Sequence, residues 1–422
     1  MSELNHYKLS ALYEMSSGIS TKPEQAGHGS PFLSFSSVFG GHFLPEILPD
    51  QMDTSDKEQK TYSVKEGDIF LTRTSETIDE LGMSSVAHKD YPKATYSGFL
   101  KRLRPTQEDK TYHKFMAFYL RSKLFRKTMN NNAVMTLRCS LNEQIFSYLD
   151  VLVPDWDDQV EIGDLLFLIY EKIELNNRIN TELEAMAKLL YDYWFVQFDF
   201  PTTAEQATAL GQPELKGKPY KTSGGKMVFN QPLKRDIPEG WEDTLVEGIL
   251  AKEARTNKIP NSEIQLNGAI PVIDQSKKFI CGFTDDLDAK IEDTPKIIFG
   301  DHTRVLKFVN FPFARGADGT QILSTNTKRV PQHLFYQMLS SIDLSSYGYA
   351  RHFKFLKQQR LILPEESISG KFEVVAKSMY QQIANNRKQN QELTELRDWL
   401  LPMLMNGQVT VGDTNEKEGI PA

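Results

Sequence analysis

Few residues in this chain are spaced for chemistry. The run Gly300-Asp301-His302-Thr303-Arg304 follows the apolar stretch Lys296-Ile297-Ile298-Phe299 and brings a carboxylate, an imidazole and a guanidinium together. As catalysis, Asp301 and His302 would share one turn with no third partner to orient them. As structure, Gly-Asp at a strand end is ordinary turn punctuation. As recognition, Arg304 is suited to a guanine edge or a phosphate. The turn is the first reading, recognition the second and catalysis the last. The eight histidines, among them His6, His28, His42 and His302, show no pair at metal-ligand spacing. Cys139 and Cys281 are too few for a disulfide framework or a cysteine-rich zinc site. Ser223-Gly224-Gly225-Lys226-Met227 lacks the spacing and the hydroxyl of a phosphate loop. No Asn-Pro-Pro-aromatic or Asp-Pro-Pro-aromatic run, of the kind adenine methyltransferases place beside a flipped base, occurs. The expectation is a protein with no catalytic centre, no metal and no cofactor.

Charge is the remaining resource. The net value of −7 argues against nucleic-acid binding when taken alone, since affinity for DNA rests on Lys and Arg meeting phosphates. Between Ser97 and Met129, however, nine basic residues (Lys101, Arg102, Arg104, Lys110, Lys114, Arg121, Lys123, Arg126, Lys127) face only Glu108 and Asp109, a local +7. A second stretch sets Arg351, Lys354, Lys357 and Arg360 beside Tyr347, Tyr349, His352 and Phe353, with no acid between Tyr347 and Arg360. Either patch reads equally as a DNA-facing surface or as a solvated face balanced elsewhere.

The elements that must position these residues are repeated. At an offset of 210, Val151-Leu152-Val153-Pro154 matches Leu361-Ile362-Leu363-Pro364. The register then holds through Ile173/Ile383, Asn176/Asn386, Asn180/Asn390, Leu183/Leu393 and Leu190/Leu400. Positions 169, 173, 176, 180, 183, 187, 190 and 194 alternate steps of four and three, as do 379, 383, 386, 390, 393, 397, 400 and 404. That spacing is a heptad seam. Each seam spans about 38 Å at ~1.5 Å per residue, close to one turn of DNA at about 34 to 36 Å. Both carry two mid-seam asparagines, which cost stability and are best known for fixing register and partner choice. The hypothesis is that the two helices pair through these seams; the alternative is that each covers its own domain core. Arg397 interrupts the second seam at a position otherwise small or apolar.

Ahead of each helix lies a long segment of short β-branched and aromatic runs broken by Gly, Pro, Asp and Asn, such as Asp68-Ile69-Phe70-Leu71 and Lys296-Ile297-Ile298-Phe299-Gly300. These segments are alike only in outline. Tyr7-Lys8-Leu9 opens the first where Trp241-Glu242-Asp243 opens the second. The expected fold class is α+β: two mixed α/β domains separated by two long helices that form a coiled coil. Expected boundaries are 1–157 for the first domain, 158–197 for the first helix, 198–238 for a linker, 239–366 for the second domain, 367–406 for the second helix and 407–422 for a tail. The densest apolar patch, Leu165 to Tyr170, is far short of a membrane span, and the N-terminus has no basic stretch leading into an apolar run. A cytoplasmic protein without a membrane partner is expected.

The run Tyr170 to Pro201, followed by Gly217-Lys218-Pro219-Tyr220-Lys221 and Ile237-Pro238-Glu239-Gly240-Trp241, resembles the central conserved region of type I restriction-modification specificity subunits. Asn386 to Gly407 is similar to their distal conserved region. The resemblance implies two target-recognition domains, each reading one half of an interrupted, asymmetric site in double-stranded DNA. It implies helices that pair antiparallel as a spacer and dock two methyltransferase subunits, with restriction/translocase subunits supplying ATP-driven cleavage. Such a chain is not itself an enzyme. Candidate DNA contacts are Arg73, Lys101, Arg102, Arg104 and Arg138 in the first half, and His302, Arg304, Arg315, Arg351 and Lys354 in the second. Candidate helix-pairing residues are Ile173, Asn176, Asn180, Leu183 and Leu190 with Ile383, Asn386, Asn390, Leu393 and Leu400. The alternative function is a coiled-coil scaffold joining two protein ligands.

Overall fold

The computed structural model describes residues 4–132, 139–316, 319–348 and 351–409. The chain divides into two compact units, Met1–Glu174 with Asn390–Ala422, and Leu175–Gln389. Each mixes helices and short strands, as expected.

In the first unit, Ile69–Thr72 is a central strand paired antiparallel with Leu100–Pro105 and Ser84–Val86. Alternation explains its consecutive apolar residues Ile69-Phe70-Leu71: successive side chains leave opposite faces of a strand. Ile69 and Leu71 enter one core with Leu103, Phe115 and Phe118, whereas Phe70 enters a second with Leu33, Val38 and Tyr96. A further sheet joins Ala26–Leu33 antiparallel to Asp50–Met52 and parallel to Thr95–Tyr96. Asn5–Lys8 and Asp150–Val153 pair antiparallel just ahead of the first long helix.

The second unit repeats this plan. Lys296–Gly300 is the central strand between Leu306–Val309 and Thr320–Leu323. Ile297 and Phe299 enter one core and Ile298 another. Ile270–Ile273 runs parallel to Phe313–Arg315, as Ala26–Leu33 does to Thr95–Tyr96. Glu242–Leu245 pairs antiparallel with Arg360–Leu363 just ahead of the second long helix. The two segments thus share a strand plan that their sequences show only in outline.

The expected linker is built structure. Thr203 caps the helix Ala204–Ala209 through its hydroxyl and a reciprocal Gln206 contact. Met227–Asn230 and Arg235–Pro238 form a hairpin. Phe200 stacks between Tyr220 and Trp241, with ring centres 4.7 and 5.1 Å away. These aromatics belong to the core of the second unit, so the low apolar content around Ser223-Gly224-Gly225 marks an exposed turn within it.

The long helices are Trp156–Tyr191, ending in a π-turn over Asp192–Val196, and Glu366–Met405. No position of either seam is exposed. Within the second unit, Asn176 Nδ2 donates to Gln389 Oε1 (2.8 Å) and Asn386 Nδ2 to Asn180 Oδ1 (2.9 Å). Gln382 Nε2 donates to Asn386 Oδ1 (2.8 Å), and Arg387 pairs with Glu184 (3.0 Å). Rising numbers on one helix meet falling numbers on the other, so the pairing is antiparallel. The partner of Asn176 is Gln389 rather than an asparagine of the repeat. Both readings of the seam hold at once, because Leu183, Leu190 and Ile383 also pack on the core of the second unit, and Leu400 on that of the first.

Candidate nucleic-acid interface

Arg73, His302 and Arg304 follow the central strands, whereas Lys101, Arg102 and Arg104 lie within the strand Leu100–Pro105, Arg315 ends the strand Phe313–Arg315, and Arg351 and Lys354 lie just ahead of and within the helix Phe353–Lys357. In the first unit, Arg73 leaves the end of Ile69–Thr72. Its N–H donates to the Phe99 carbonyl (2.9 Å), its guanidinium to the Gly98 carbonyl (3.3 Å), and its own carbonyl accepts from Leu141 N (2.8 Å). The loop Ser97–Phe99 is tied in turn by Ser97 N to Leu33 O (3.0 Å) and Gly98 N to Ile19 O (2.7 Å). Glycine is required at position 18, since a Cβ there would lie 2.3 Å from the Ser97 carbonyl oxygen. Arg73 is exposed and its head has one long bond, which leaves most of its donors available.

The other predicted basic residues of this half are engaged inside the unit. Lys101 donates to Ser17 Oγ (2.8 Å), and burial lowers its pKa, with Glu143 opposing and Arg73 adding to the effect. Arg102 donates to Ser63 O (2.9 Å) and lies over the Tyr96 ring. Arg104 forks onto Asp68, whose carboxylate is 1% exposed, at 2.5 and 2.7 Å. That bond raises the Arg104 pKa. Arg138 lies outside the described residues.

The local +7 is therefore not a single DNA-facing patch. Arg121 donates to Ser84 O, Val38 O and Phe39 O, Arg126 to Gly82 O and Asp79 O, and Lys114 to Asp164. A short-stranded domain leaves many loop carbonyls without ladder partners, and buried carbonyls need donors. Sequence alone does not distinguish an arginine that serves this need from one that meets phosphate.

In the second unit the Gly300–Arg304 turn is confirmed by Arg304 N to Gly300 O and Gly300 N to Val305 O, both 2.8 Å. Arg304 itself adopts φ 61°. Asp301 is a structural hub. Its N–H donates to Gly319 O (2.7 Å), its carbonyl accepts from His352 N (2.8 Å), and its carboxylate accepts from Phe353 N (2.8 Å). The last contact satisfies a free N–H at the start of the helix Phe353–Lys357. His302, Arg351 and Lys354, all exposed, are thereby carried on two segments joined at Asp301. Arg304 is exposed but donates to Leu344 O (3.1 Å), lining a cleft with Phe299, Leu339 and Asp343. Arg315 stands apart, donating to Thr256 O (3.2 Å).

Three residues that hold or flank the candidate contacts carried no recognised sequence signal. Gln275 accepts from His302 N (3.2 Å), and its carbonyl accepts from Thr303 Oγ1 (2.6 Å). Lys307, buried, donates to the carbonyls of Asp274 (2.7 Å) and Lys278 (2.5 Å) and so holds the loop bearing Gln275 from within. Burial lowers its pKa against the pull of Asp274. Phe99 is 66% exposed beside Arg73. The Asp274-x-Ser276 turn, closed by Ser276 N to Asp274 Oδ1 (2.9 Å), was legible as turn chemistry.

The long helices also expose apolar side chains beside the seam. In the second unit Met186, Leu189, Tyr193 and Val196 follow steps of three and four, and Val374 is exposed on the second helix. Among the described residues no group of His, Cys, Asp and Glu could hold a metal ion, and no helix is long and apolar enough to cross a membrane.

Residues 25–185 match the family described as type I restriction modification DNA specificity domain. The type I restriction enzyme MjaIX specificity subunit of Methanocaldococcus jannaschii is 22% identical over 429 residues, covering 92% of this chain and 91% of that protein. The HindI specificity subunit of Haemophilus influenzae is 24% identical over 334 residues, covering 62% of this chain and 70% of that protein. Among solved structures, the type I restriction-modification S subunit from M. genitalium superposes with a TM-score of 0.59 at 13% identity, over 96% of each chain. That last likeness is one of fold.

Proposed function

We propose that the chain is a specificity subunit of the type I restriction-modification family and that it reads a two-part, asymmetric duplex DNA target for its complex, a reading supported by the matched specificity domain and the similar specificity subunits. Each unit reads one part. Arg73 is the leading contact of the first unit; His302, Arg304, Arg351 and Lys354 are those of the second, and Lys101, Arg102 and Arg104 are removed from the contact set to a structural one. The chain performs no bond-breaking step. Methyltransferase subunits, two by the symmetry of the repeat, dock on the exposed apolar faces of the long helices, and restriction subunits join the assembly.

The observation that carries this reading is that the two units share a strand plan but follow the central strand with unlike residues, Arg73-Thr74-Ser75 in one and Asp301-His302-Thr303 in the other. A shared plan gives each unit the same approach to a duplex, and unlike loops give it a different half-site. The test is an adenine-methylation map of cells carrying the neighbouring methyltransferase with and without this chain. The expected result is a new motif of two unlike parts with a fixed gap. An unchanged map, with both proteins shown to be assembled, would overturn the reading in favour of a scaffold joining two protein ligands.

A further inference from the structure

The ring of Phe99 takes no part in either core of the first unit. The residue is 66% exposed and belongs to a loop held by its neighbours rather than by its own ring. Its carbonyl accepts from Arg73 N (2.9 Å), its N–H donates to Ser97 Oγ (3.2 Å), and Gly98 between them is bonded to Ile19 and approached by the Arg73 guanidinium. A flexible tip would hide an aromatic ring by folding over it, but this backbone is fixed on both sides. The fold therefore presents an apolar ring beside the exposed Arg73 head group.

Resting on the reading that the first unit meets duplex DNA, we propose that Phe99 is a specificity-determining residue that makes an apolar contact with the target bases. An aromatic ring gains nothing from a phosphate. On a duplex its suitable partners are a thymine methyl in the major groove or the face of a parted base step. Arg73 and Phe99 then divide the work of one loop pair, charge from one and shape from the other.

The test uses the complex assembled with its methyltransferase subunits, carrying wild-type chain, Phe99→Ala or Phe99→Trp, on a duplex bearing the mapped target and on a scrambled duplex, across a salt series. Phe99→Ala is expected to weaken target binding about tenfold, in the range of aromatic–base contacts. It leaves scrambled binding and the slope of affinity against salt unchanged, because no charge is removed. The methylation motif relaxes within one half-site only, and Phe99→Trp restores most of the loss. Full target affinity and an unaltered motif in Phe99→Ala would overturn the proposal. Equal affinity of the wild-type complex for both duplexes would overturn the DNA reading itself, and the role of Phe99 with it.

Discussion

Arg73 and Arg104 illustrate how differently one residue type serves this molecule. Removing Arg104 leaves the Asp68 carboxylate buried without its cation. Arg104→Met is expected to cost about 3–5 kcal/mol of stability, the range for breaking a buried pair from one side. Chemical unfolding measures it, and loss of target preference without loss of stability would contradict the assignment. Arg73→Ala is expected to leave stability within about 0.5 kcal/mol, as for surface changes, and to weaken DNA binding by the assembled complex. Histidine gives a pH dependence. Burial, with Arg121 and Arg397 nearby, lowers the His42 pKa to about 3, and burial with Lys114 lowers that of His113 to about 4. The unfolded chain takes up these protons below about pH 6.5, while the native chain resists them until pH 3–4. Their effect is absent above that upper value and grows as pH falls through the window, so the folded state weakens on acidification. The unfolding midpoint is expected to drop between pH 7.5 and 5, and the drop should shrink in His42→Asn/His113→Asn. An identical drop in that variant would exclude these two groups as its source.

At the scale of elements, the asparagine pair is a bond between helices with a third member, Gln382. Asn386→Leu alone leaves the buried Asn180 side-chain carbonyl without its donor and is expected to cost about 1–3 kcal/mol, the penalty of an unsatisfied buried polar group. Adding Asn180→Leu should recover much of it, and a double-mutant cycle reads the coupling directly. Independent, additive losses would mean the pair is not energetically linked. The helices were legible because a heptad repeat with matched asparagines survives as spacing alone. Arg397, the residue that breaks the pattern, is half-buried beside Asp398 and lines a cleft with His42 and Tyr170 in the first unit. The central strands were legible as apolar runs. The strand plan common to both units was not, because it is set by pairings between distant short segments such as Phe32 with Thr95 and Val272 with Ala314. Nor was the inward use of Arg102, Arg121 and Arg126, which depends on where loop carbonyls fall in space.

For the molecule as a whole, a net charge of −7 sets the terms of binding. The chain alone is expected to hold DNA weakly, and the proposed complex more tightly and with a steeper salt dependence if its other subunits supply phosphate contacts. A retardation series with and without partners measures this; tight binding by the chain alone would show that its own loops suffice. Exchange of the Gln275–Phe279 loop should alter only one half of the methylated motif. The first unit is also closed by residues from both ends of the described sequence: Leu400, Leu404 and Met405 complete the core built around Phe115, Phe118 and Leu166. Ribosomes deliver a chain in one direction. The second unit, continuous from Leu175 to Gln389, has all its residues before the first unit does. The half translated first is thus the half finished last, and until residues 400–405 emerge it carries an open apolar surface that nascent-chain chaperones are suited to cover.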